Sequence, residues 1–219
     1  MFVTYAIGDV HGALHKLRRL IARCEEHARG NPHRYVFLGD YIDRGPRSAD
    51  VIRFLMALKA GMPDSVVTLS GNHEAMLLAI VDDEMAEEDW LWQGGAATLQ
   101  SYGATEVREL PQDHVAWLRA LPLTYDDGRR FFVHAGVDPQ LPLDAQDAYD
   151  LIWIREPFLV SARDYGRLIV HGHTPLDGDA PDLRDNRLNL DTGAVFGGPL
   201  TAAVFSDAAT PPLAFLQAK

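Results

Sequence analysis

Polar side chains suited to acid–base and metal chemistry follow several short apolar runs of this sequence. In GDVHG, residues 8–12, Asp9 and His11 come directly after Val3–Ile7. Residues two apart in an extended segment face the same side, so the side chains of Asp9 and His11 are predicted to point toward the same position. A carboxylate and an imidazole are good ligands for Mn, Fe or Zn. By itself this motif is weak, because an Asp and a His after a strand are more often a cap and a surface residue.

The next two motifs are GDYIDRG at residues 39–45 and GNHE at residues 71–74. Asp40 follows its apolar run with one glycine between, as Asp9 does. Asn72 offers an amide oxygen, and His73 donates or accepts a proton near neutral pH. Each motif also has a purely structural explanation. A turn rich in Asp and Gly needs no function, and Asn72 can cap a helix with Glu74 in its first turn.

Two later motifs complete the set: HAG at residues 134–136 and HGHT at residues 171–174. A single His after a strand is usually a satisfied polar residue, but five polar motifs at five strand ends, bracketed by glycines, are hard to explain in that way. In α/β sheets, ligands bind in the crevice beyond the carboxyl ends of the strands. We therefore interpret the five motifs as one site.

The elements that must position this site follow from the hydrophobic pattern. Helical patterns at about Leu14–His27 and Ser48–Leu58 alternate with the early apolar runs, which predicts an α/β domain with partly parallel sheets. The stretch at about 74–121 is predicted to be a helix-rich part of a single domain, 1–219. Residues 175–185 are predicted to form a surface loop. The predicted strands are Phe2–Ile7, Tyr35–Leu38, Val66–Leu69, Phe131–Val133, Leu168–Val170, Leu188–Leu190 and Ala202–Phe205.

Composition narrows the classes of partner. The chain has 31 acidic and 20 basic residues among 219, a net charge of −11. Nucleic-acid binding needs concentrated Lys and Arg, so no nucleic-acid partner is expected. Bound metal ions would supply the positive charge that a phosphate site needs in an acidic protein. The single cysteine, Cys24, indicates a reducing, cytoplasmic setting. No secretory leader or membrane span is recognised, and a monomer is expected.

The order GDVHG, GDYIDRG, GNHE, HAG and GHTP resembles the signature blocks of the PPP family of metal-dependent phosphoprotein phosphatases. Their wider relatives are the calcineurin-like metallophosphoesterases. The blocks run from residue 8 to residue 175, and the segments Trp153–Glu156 and Asp191–Phe196 resemble the small bacterial and phage-encoded branch. The resemblance implies an α/β fold of two mixed β-sheets packed as a sandwich and flanked by helices, with a helical segment in the middle.

The resemblance also implies two divalent metal ions, with Mn favoured and Fe or Zn as alternatives. Asp40 bridges the two ions. His173 rather than His171 is a ligand, because it is the His of the GHTP block. Asp9 and His11 bind one ion, and the three remaining ligands bind the other. The implied ligands are Asp9, His11, Asp40, Asn72, His134 and His173.

Four further residues acquire roles from the same resemblance. Arg44 and Arg155 match arginines that grip phosphate oxygens, for which a guanidinium fork is well shaped. His73 would be the general acid, and Asp43 the carboxylate that orients it. The implied reaction is direct attack on a phosphoester by hydroxide held between the two ions. A Gly-rich Lys-Ser/Thr loop is absent from the sequence, which excludes a P-loop kinase or NTPase.

The predicted substrate is a phosphoprotein or phosphopeptide carrying phosphoserine, phosphothreonine or also phosphotyrosine. This prediction depends on Asp43 and Glu74. Relatives that hydrolyse symmetrical dinucleoside tetraphosphates tend to differ at both positions, and a small-molecule phosphoesterase of that kind is the alternative. A third hypothesis is a metal-binding regulatory module without catalysis. The presence of every expected ligand, acid and phosphate clamp disfavours it.

Overall fold

The computed structural model describes residues 2–219, in which ten strands form two five-stranded sheets. The strands are β1 Val3–Ile7, β2 His33–Phe37, β3 Val66–Thr68, β4 Thr124–Asp126, β5 Arg130–Val133, β6 Leu168–His171, β7 Asp182–Leu183, β8 Arg187–Asn189, β9 Leu200–Ser206 and β10 Ala214–Ala218. Sheet A has the order β10-β9-β1-β2-β3, and sheet B the order β4-β5-β6-β8-β7. Both sheets are mixed. In sheet A, β1, β2 and β3 are parallel, and β9 and β10 add antiparallel pairs on one side. In sheet B, the parallel strands β5, β6 and β8 lie between the antiparallel outer strands β4 and β7.

Along the chain, most helices follow strands β1, β2 and β3, and four of them come between β3 and β4. They are α1 Leu14–Ala28, α2 Ser48–Gly61, α3 Asn72–Val81, α4 Glu87–Trp90, α5 Ala96–Tyr102, α6 Gln112–Arg119 and α7 Ala148–Trp153. A π-helical turn, Leu91–Gly95, joins α4 to α5. The helix-rich stretch predicted at about 74–121 is therefore present, as α3 to α6.

The two sheets pack face to face as a sandwich. Alternate residues of a strand point to opposite faces, so Ala6 of β1 faces sheet B while Tyr5 and Ile7 face the helices. Phe132 of β5 and Val170 of β6 enter the same intersheet core from the other side. The α/β fold predicted above, two mixed sheets flanked by helices, is confirmed.

Helix α1 shows how the helical layer fixes the exit from β1. Its buried residues recur three or four apart, among them Leu14, Leu17, Ile21 and Cys24, which gives one apolar stripe against sheet A. Burying each leucine contributes about 1.5–3 kcal/mol. Because that stripe must face the sheet, it also fixes where the loop between β1 and α1 lies, and this loop carries Asp9 and His11. Replacing Leu17 by Asp would bury a charge at the centre of the stripe.

Three strands were not predicted. β4 and β7 have three and two residues, too few to show a two-residue alternation. β10 is an edge strand whose first residues are exposed, so its pattern lacks a buried face. The prediction that 175–185 is loop is wrong at β7. Among residues 2–219, no helix has both the length and the apolar character needed to cross a bilayer. The assignment of 1–219 to one domain stays a prediction.

Candidate active site

The polar motifs meet at one edge of the sandwich. β1, β2 and β3 run parallel, so the residues after them lie side by side. β5 and β6 are parallel as well, with Phe132 opposite Val170, and the N–H of Gly172 donates to the carbonyl of His134 at 2.8 Å. The two sheets are joined here by the imidazole of His134, whose Nδ1 lies 2.9 Å from the carbonyl oxygen of Leu38.

Asp40 is the point on which two groups of donor atoms converge. One group is His11, Asp40 and His73, and the other is Asp40, His134 and His173, with the donor atoms of each group within 4.8 Å of one another. Asp40 Oδ2 lies 3.3 Å from His11 Nε2, and Asp40 Oδ1 lies 3.4 Å from His134 Nε2. All five side chains are buried. Imidazole and carboxylate donors in two overlapping groups suit a pair of transition-metal ions.

Asn72 belongs to the second group by geometry. Its amide oxygen, Oδ1, lies 3.0 Å from His134 Nε2 and 3.0 Å from His173 Nδ1. Asn72 is the first residue of α3, and the helix cap is Gly71 rather than Asn72. An added Cβ on Gly71 would collide with the carboxylate of Asp40, so glycine is required for α3 to begin this close to the site.

Asp9 lies beside both groups rather than inside one. Its carboxylate accepts the backbone N–H of His173 at 3.1 Å. Burial, together with the nearby carboxylate of Asp191, raises the pKa of Asp9 well above its usual range. Burial also opposes ionisation of Asp40, but the imidazoles of His134 and His73 hold its pKa well below its usual range. The site thus concentrates buried carboxylates that a divalent cation would neutralise.

Backbone carbonyls set the tautomers of two of the imidazoles. His11 Nδ1 lies 2.7 Å from the carbonyl oxygen of Ile42, and His134 Nδ1 lies 2.9 Å from that of Leu38. Each Nδ1–H donates to its carbonyl, so Nε2 is the nitrogen that faces Asp40, and it can bind a metal ion only when it is deprotonated. Burial disfavours protonation of His134, but the carboxylates of Asp40 and Asp9 raise its pKa to about 10. Metal binding at His134 therefore has to displace a proton.

The backbone of the site is bent into the left-handed region. His11, Asp40, Asp43, Arg44 and His173 have φ values of 43°, 53°, 70°, 66° and 64°. Non-glycine residues adopt this conformation at a cost, and they concentrate at functional sites. The prediction that Asp9 and His11 converge because their segment is extended is wrong. The chain turns at His11, and this turn brings the imidazole back toward Asp40.

His73 and Asp43 form a buried pair, with Nδ1 of the imidazole 2.7 Å from Oδ2 of the carboxylate. Trp90 Nε1–H donates to the same Oδ2 at 2.7 Å, and the Thr98 hydroxyl donates to Oδ1 at 2.7 Å. The other imidazole nitrogen, His73 Nε2, faces Asp40 Oδ2 at 3.9 Å. The helical middle of the chain therefore holds Asp43 in place.

The sequence did not assign positions to Trp90 and Thr98 in this network. The roughly helical spacing of Trp90, Trp92 and Leu99 predicts that all three are core residues. Trp90 and Leu99 are buried, but Trp92 is 90% exposed, so for Trp92 that prediction is wrong. The π-helical turn after Trp90 breaks the spacing on which it depended.

Glu74 is a second buried carboxylate that acts through the backbone. It accepts the N–H groups of Asp40, Tyr41 and Gly71 at 2.8, 2.8 and 2.9 Å. Those donors belong to the loop that carries Asp40 and to the start of α3. Glu74 thus links the two segments and holds the backbone of Asp40 in position. The capping position of Glu74 was visible in the sequence, but its contact with the Asp40 loop was not.

The two arginines lie at the surface of the site, at different ends. Arg44 is exposed, and its Nη1 lies 2.6 Å from His11 Nε2. Arg155 is also exposed. Burial, His134 and Arg155 together lower the pKa of His173 to about 3, which places the charge of Arg155 near the second group. Both arginines are exposed, so a substrate can reach their side chains.

His171 lies apart from the donor atoms although it is two residues from His173. Its ring packs edge-on against Phe158, with centroids 5.0 Å apart. Its Nε2 has no hydrogen-bond partner among residues 2–219. Burial and the charge of Arg187 lower its pKa to about 3, so His171 is a neutral core histidine. The roles of all ten predicted site residues stay predictions, although the structure brings them to one place.

Residues 2–200 match the family model described as calcineurin-like phosphoesterase. This chain belongs to that family. It is 30% identical over 162 residues to a symmetrical bis(5'-nucleosyl)-tetraphosphatase of Aromatoleum aromaticum, covering 73% of this chain and 49% of the relative. The corresponding protein of Azotobacter vinelandii is 37% identical over 144 residues, covering 64% and 46%. The chain thus spans about half the length of these curated relatives.

A solved structure described as that of a candidate diadenosine tetraphosphatase is similar over the whole fold. It superposes with a TM-score of 0.75 at 22% identity, covering 99% of this chain and 94% of that one. At this level of identity the likeness concerns the fold of the family. The family and the two groups of donor atoms together support a metal-binding phosphoesterase site.

The prediction of a phosphoprotein phosphatase with a phosphoprotein or phosphopeptide partner is wrong. The relatives that the chain matches are named for a dinucleoside tetraphosphate instead. The structure explains the error, because the prediction depended on Asp43 and Glu74. Both side chains are completely buried, and they bind His73 and backbone N–H groups respectively. Neither side chain is exposed where a substrate would bind, so neither one indicates the class of substrate.

Proposed function

We propose that this chain hydrolyses symmetrical bis(5′-nucleosyl) tetraphosphates. The observation that carries the proposal is the convergence of two buried groups of donor atoms on Asp40, with an arginine at each end. The names of the similar curated proteins support the choice of substrate. A tetraphosphate also suits the electrostatics, because a polyanion can engage both guanidinium groups at once.

The ten predicted site residues would divide the work as follows. Two divalent ions, when bound, supply Lewis-acid polarisation of a phosphoryl oxygen and a nucleophile at neutral pH. Asp40, with Asp9 and His11 on one side and Asn72, His134 and His173 on the other, would hold them. The donor set favours Mn, with Fe and Zn as alternatives.

The remaining residues act on the phosphate chain. Arg44 and Arg155 would bind its non-bridging oxygens and align it across the site. His73, held by Asp43, would donate a proton from Nε2 to the departing phosphate oxygen. A departing nucleoside diphosphate is a weaker base than an alkoxide, so this proton matters less here than for a seryl phosphate.

The test is a substrate comparison after chelation and re-addition of Mn, Fe, Zn or Mg. We expect kcat/KM for diadenosine tetraphosphate to exceed that for every member of a phosphopeptide panel by orders of magnitude. Chromatography should show two nucleoside diphosphates per substrate. The Asp40→Asn variant, purified in the same way, controls for contaminating phosphatases. A higher kcat/KM on phosphopeptides, or cleavage to a mono- and a triphosphate, would refute the proposal.

A further inference from the structure

Phe196 is an exposed aromatic side chain on a tightly held loop at the edge of the site. It ends a short 3-10 turn, Ala194–Phe196, and 65% of its surface is exposed. The Lys16 ammonium donates to the carbonyl oxygens of Ala194 and Gly198 at 2.7 and 2.6 Å, and so ties both ends of the loop to α1. A ligand that packs on a ring held in this way loses little affinity to loop ordering.

A chain of contacts connects Phe196 to the donor atoms. The guanidinium carbon of Arg44 lies 5.6 Å from the centroid of the Phe196 ring, and Arg44 Nη1 lies 2.6 Å from His11 Nε2. A phosphate bound by Arg44 would therefore have the Phe196 ring as its next neighbour. Whatever the substrate carries beyond its phosphates on this side meets that ring.

A pocket of about 280 Å³ opens beside Phe196, between residues 175–179 and 192–198. The two segments are joined where the Leu176 N–H donates to the carbonyl of Asp191 at 2.9 Å. Asp177 and Asp179 line the pocket, and within residues 2–219 no Lys or Arg does. The Lys219 ammonium pairs with Asp179 Oδ2 at 2.5 Å, which leaves Asp177 as the lining carboxylate that has no ion-pair partner in the described part of the chain. Carboxylates repel a further phosphate, but they accept hydrogen bonds from hydroxyl and amino groups.

We propose that this pocket binds one nucleoside of the substrate, with the base stacked on Phe196 and a ribose hydroxyl directed at Asp177. The inference rests on the proposed function. A nucleoside matches the pocket in three respects: it is uncharged, it has a flat aromatic face, and it carries hydroxyl donors. An inorganic polyphosphate or an acidic peptide lacks this combination.

The test compares Phe196→Ala with the wild-type protein on two substrates. Losing one base–aromatic stack costs roughly 5- to 150-fold in affinity. We expect kcat/KM for diadenosine tetraphosphate to fall by that factor more than kcat/KM for p-nitrophenyl phosphate, which has no nucleoside. Phe196→Trp should restore the ratio, because a larger ring still stacks. Equal losses on both substrates would overturn the proposal, since Phe196 would then act only through Arg44.

Two variants serve as controls. Phe215→Ala makes the same substitution at another partly exposed phenylalanine, on β10, and should leave the ratio of the two kcat/KM values unchanged. Trp92→Ala removes another aromatic side chain, which is 90% exposed. If Trp92→Ala rather than Phe196→Ala changes the ratio, the base stacks elsewhere and the assignment to this pocket is wrong.

A binding measurement separates this inference from the proposed function. Nucleoside diphosphate and pyrophosphate are compared as inhibitors of p-nitrophenyl phosphate hydrolysis, which requires no tetraphosphate cleavage. We expect the nucleoside diphosphate to inhibit more tightly, and the preference to shrink in Phe196→Ala and in Asp177→Asn. Saturation-transfer NMR should show contact with the base protons in the wild-type protein. Equal inhibition constants for the nucleoside diphosphate and pyrophosphate would overturn the nucleoside pocket, even if the tetraphosphate is cleaved. Tighter inhibition by the nucleoside diphosphate without cleavage of the tetraphosphate would support the pocket and refute the proposed function.

Discussion

The two halves of the site are built differently. The half after β1, β2 and β3 carries Asp40 and His73, each braced by its own buried carboxylate, Glu74 and Asp43. Within residues 2–219, the half after β5 and β6 supplies no such carboxylate of its own behind His134 and His173, because the carboxylate that accepts the backbone N–H of His173 is that of Asp9, which follows β1. Both of its imidazoles lie against Asn72 of the first half, and His134 also lies against Leu38.

This difference indicates that the first half is the reference frame of the site: its side chains are fixed by contacts within that half. The side chains of the second half are positioned by their contacts with the first. A change in the first half should therefore disturb both metal positions. A change in the second half should stay local. Four substitutions test this difference between the two halves.

Asp40→Asn should have the largest effect, because Asp40 belongs to both groups of donor atoms. An amide carries no charge to compensate two cations, so we expect both ions to be lost. Activity should fall by more than the 10- to 100-fold typical of an outer-shell substitution. Elemental analysis of the purified protein measures the bound metal. Asp50→Asn, which removes a partly exposed carboxylate on α2, is the matched control. Unchanged metal content and activity would show that Asp40 is not shared.

His73→Asn tests the chemistry of the first half without removing a bridging ligand. We expect kcat to fall roughly 10²- to 10⁴-fold on an alkyl phosphate, the usual contribution of a general acid. The loss should be smaller on diadenosine tetraphosphate and on p-nitrophenyl phosphate, whose leaving groups need less protonation. Steady-state kinetics on the three substrates measures it. A uniform loss would argue against the acid role and for a role in metal binding, which the position of His73 in a donor group also allows.

Glu74→Gln should weaken both metal sites together, although Glu74 is not one of the predicted ligands. The new amide donates where backbone N–H groups already point, so the Asp40 loop must shift. We expect metal affinity to fall about 10- to 100-fold at both positions, measured by calorimetric titration. His173→Asn should weaken only one. Glu84→Gln, at an exposed position after α3, controls for the change of charge. If Glu74→Gln affects one ion alone, the first half is not the reference frame.

His171→Asn should have the smallest effect on metal content, and its clearest effect should be on pH-dependent stability. Burial lowers the pKa of His171 from 6.5 to about 3. Between pH 6.5 and about pH 3, the unfolded chain therefore binds a proton at His171 that the folded chain does not bind. The free energy of unfolding falls as the pH drops through this range. At pH 5 this costs about 2 kcal/mol relative to pH 7.

The measurement is urea unfolding of metal-free protein at pH 7 and pH 5. The loss of stability between these pH values should be about 2 kcal/mol smaller in His171→Asn than in the wild type. Identical losses would mean that His171 is protonated in the folded protein. A large fall in bound metal would mean that His171, rather than His173, serves the second half.

Much of this protein could be predicted from its sequence. Strand-length apolar runs, five of them followed by a polar motif that contains glycine, indicated both the α/β sandwich and the edge at which Asp9, Asp40, Asn72, His134 and His173 lie. These patterns are local, and parallel strands bring their carboxyl ends together wherever they pair. The short strands and the edge strand were missed because neither kind shows a complete buried face.

Only the tertiary structure decided what the remaining residues do. Glu74 looks like an ordinary helix-start acid in the sequence, and its contact with the Asp40 loop spans 34 residues. Trp90 reaches Asp43 across 47 residues, and Lys16 reaches the Phe196 loop across 178. Side chains that act at such separations leave no periodic pattern, because their role depends on which elements pack together. For this reason the sequence misleads at Asp43 and Glu74, which indicate a protein substrate, whereas their complete burial shows that they support the site from within.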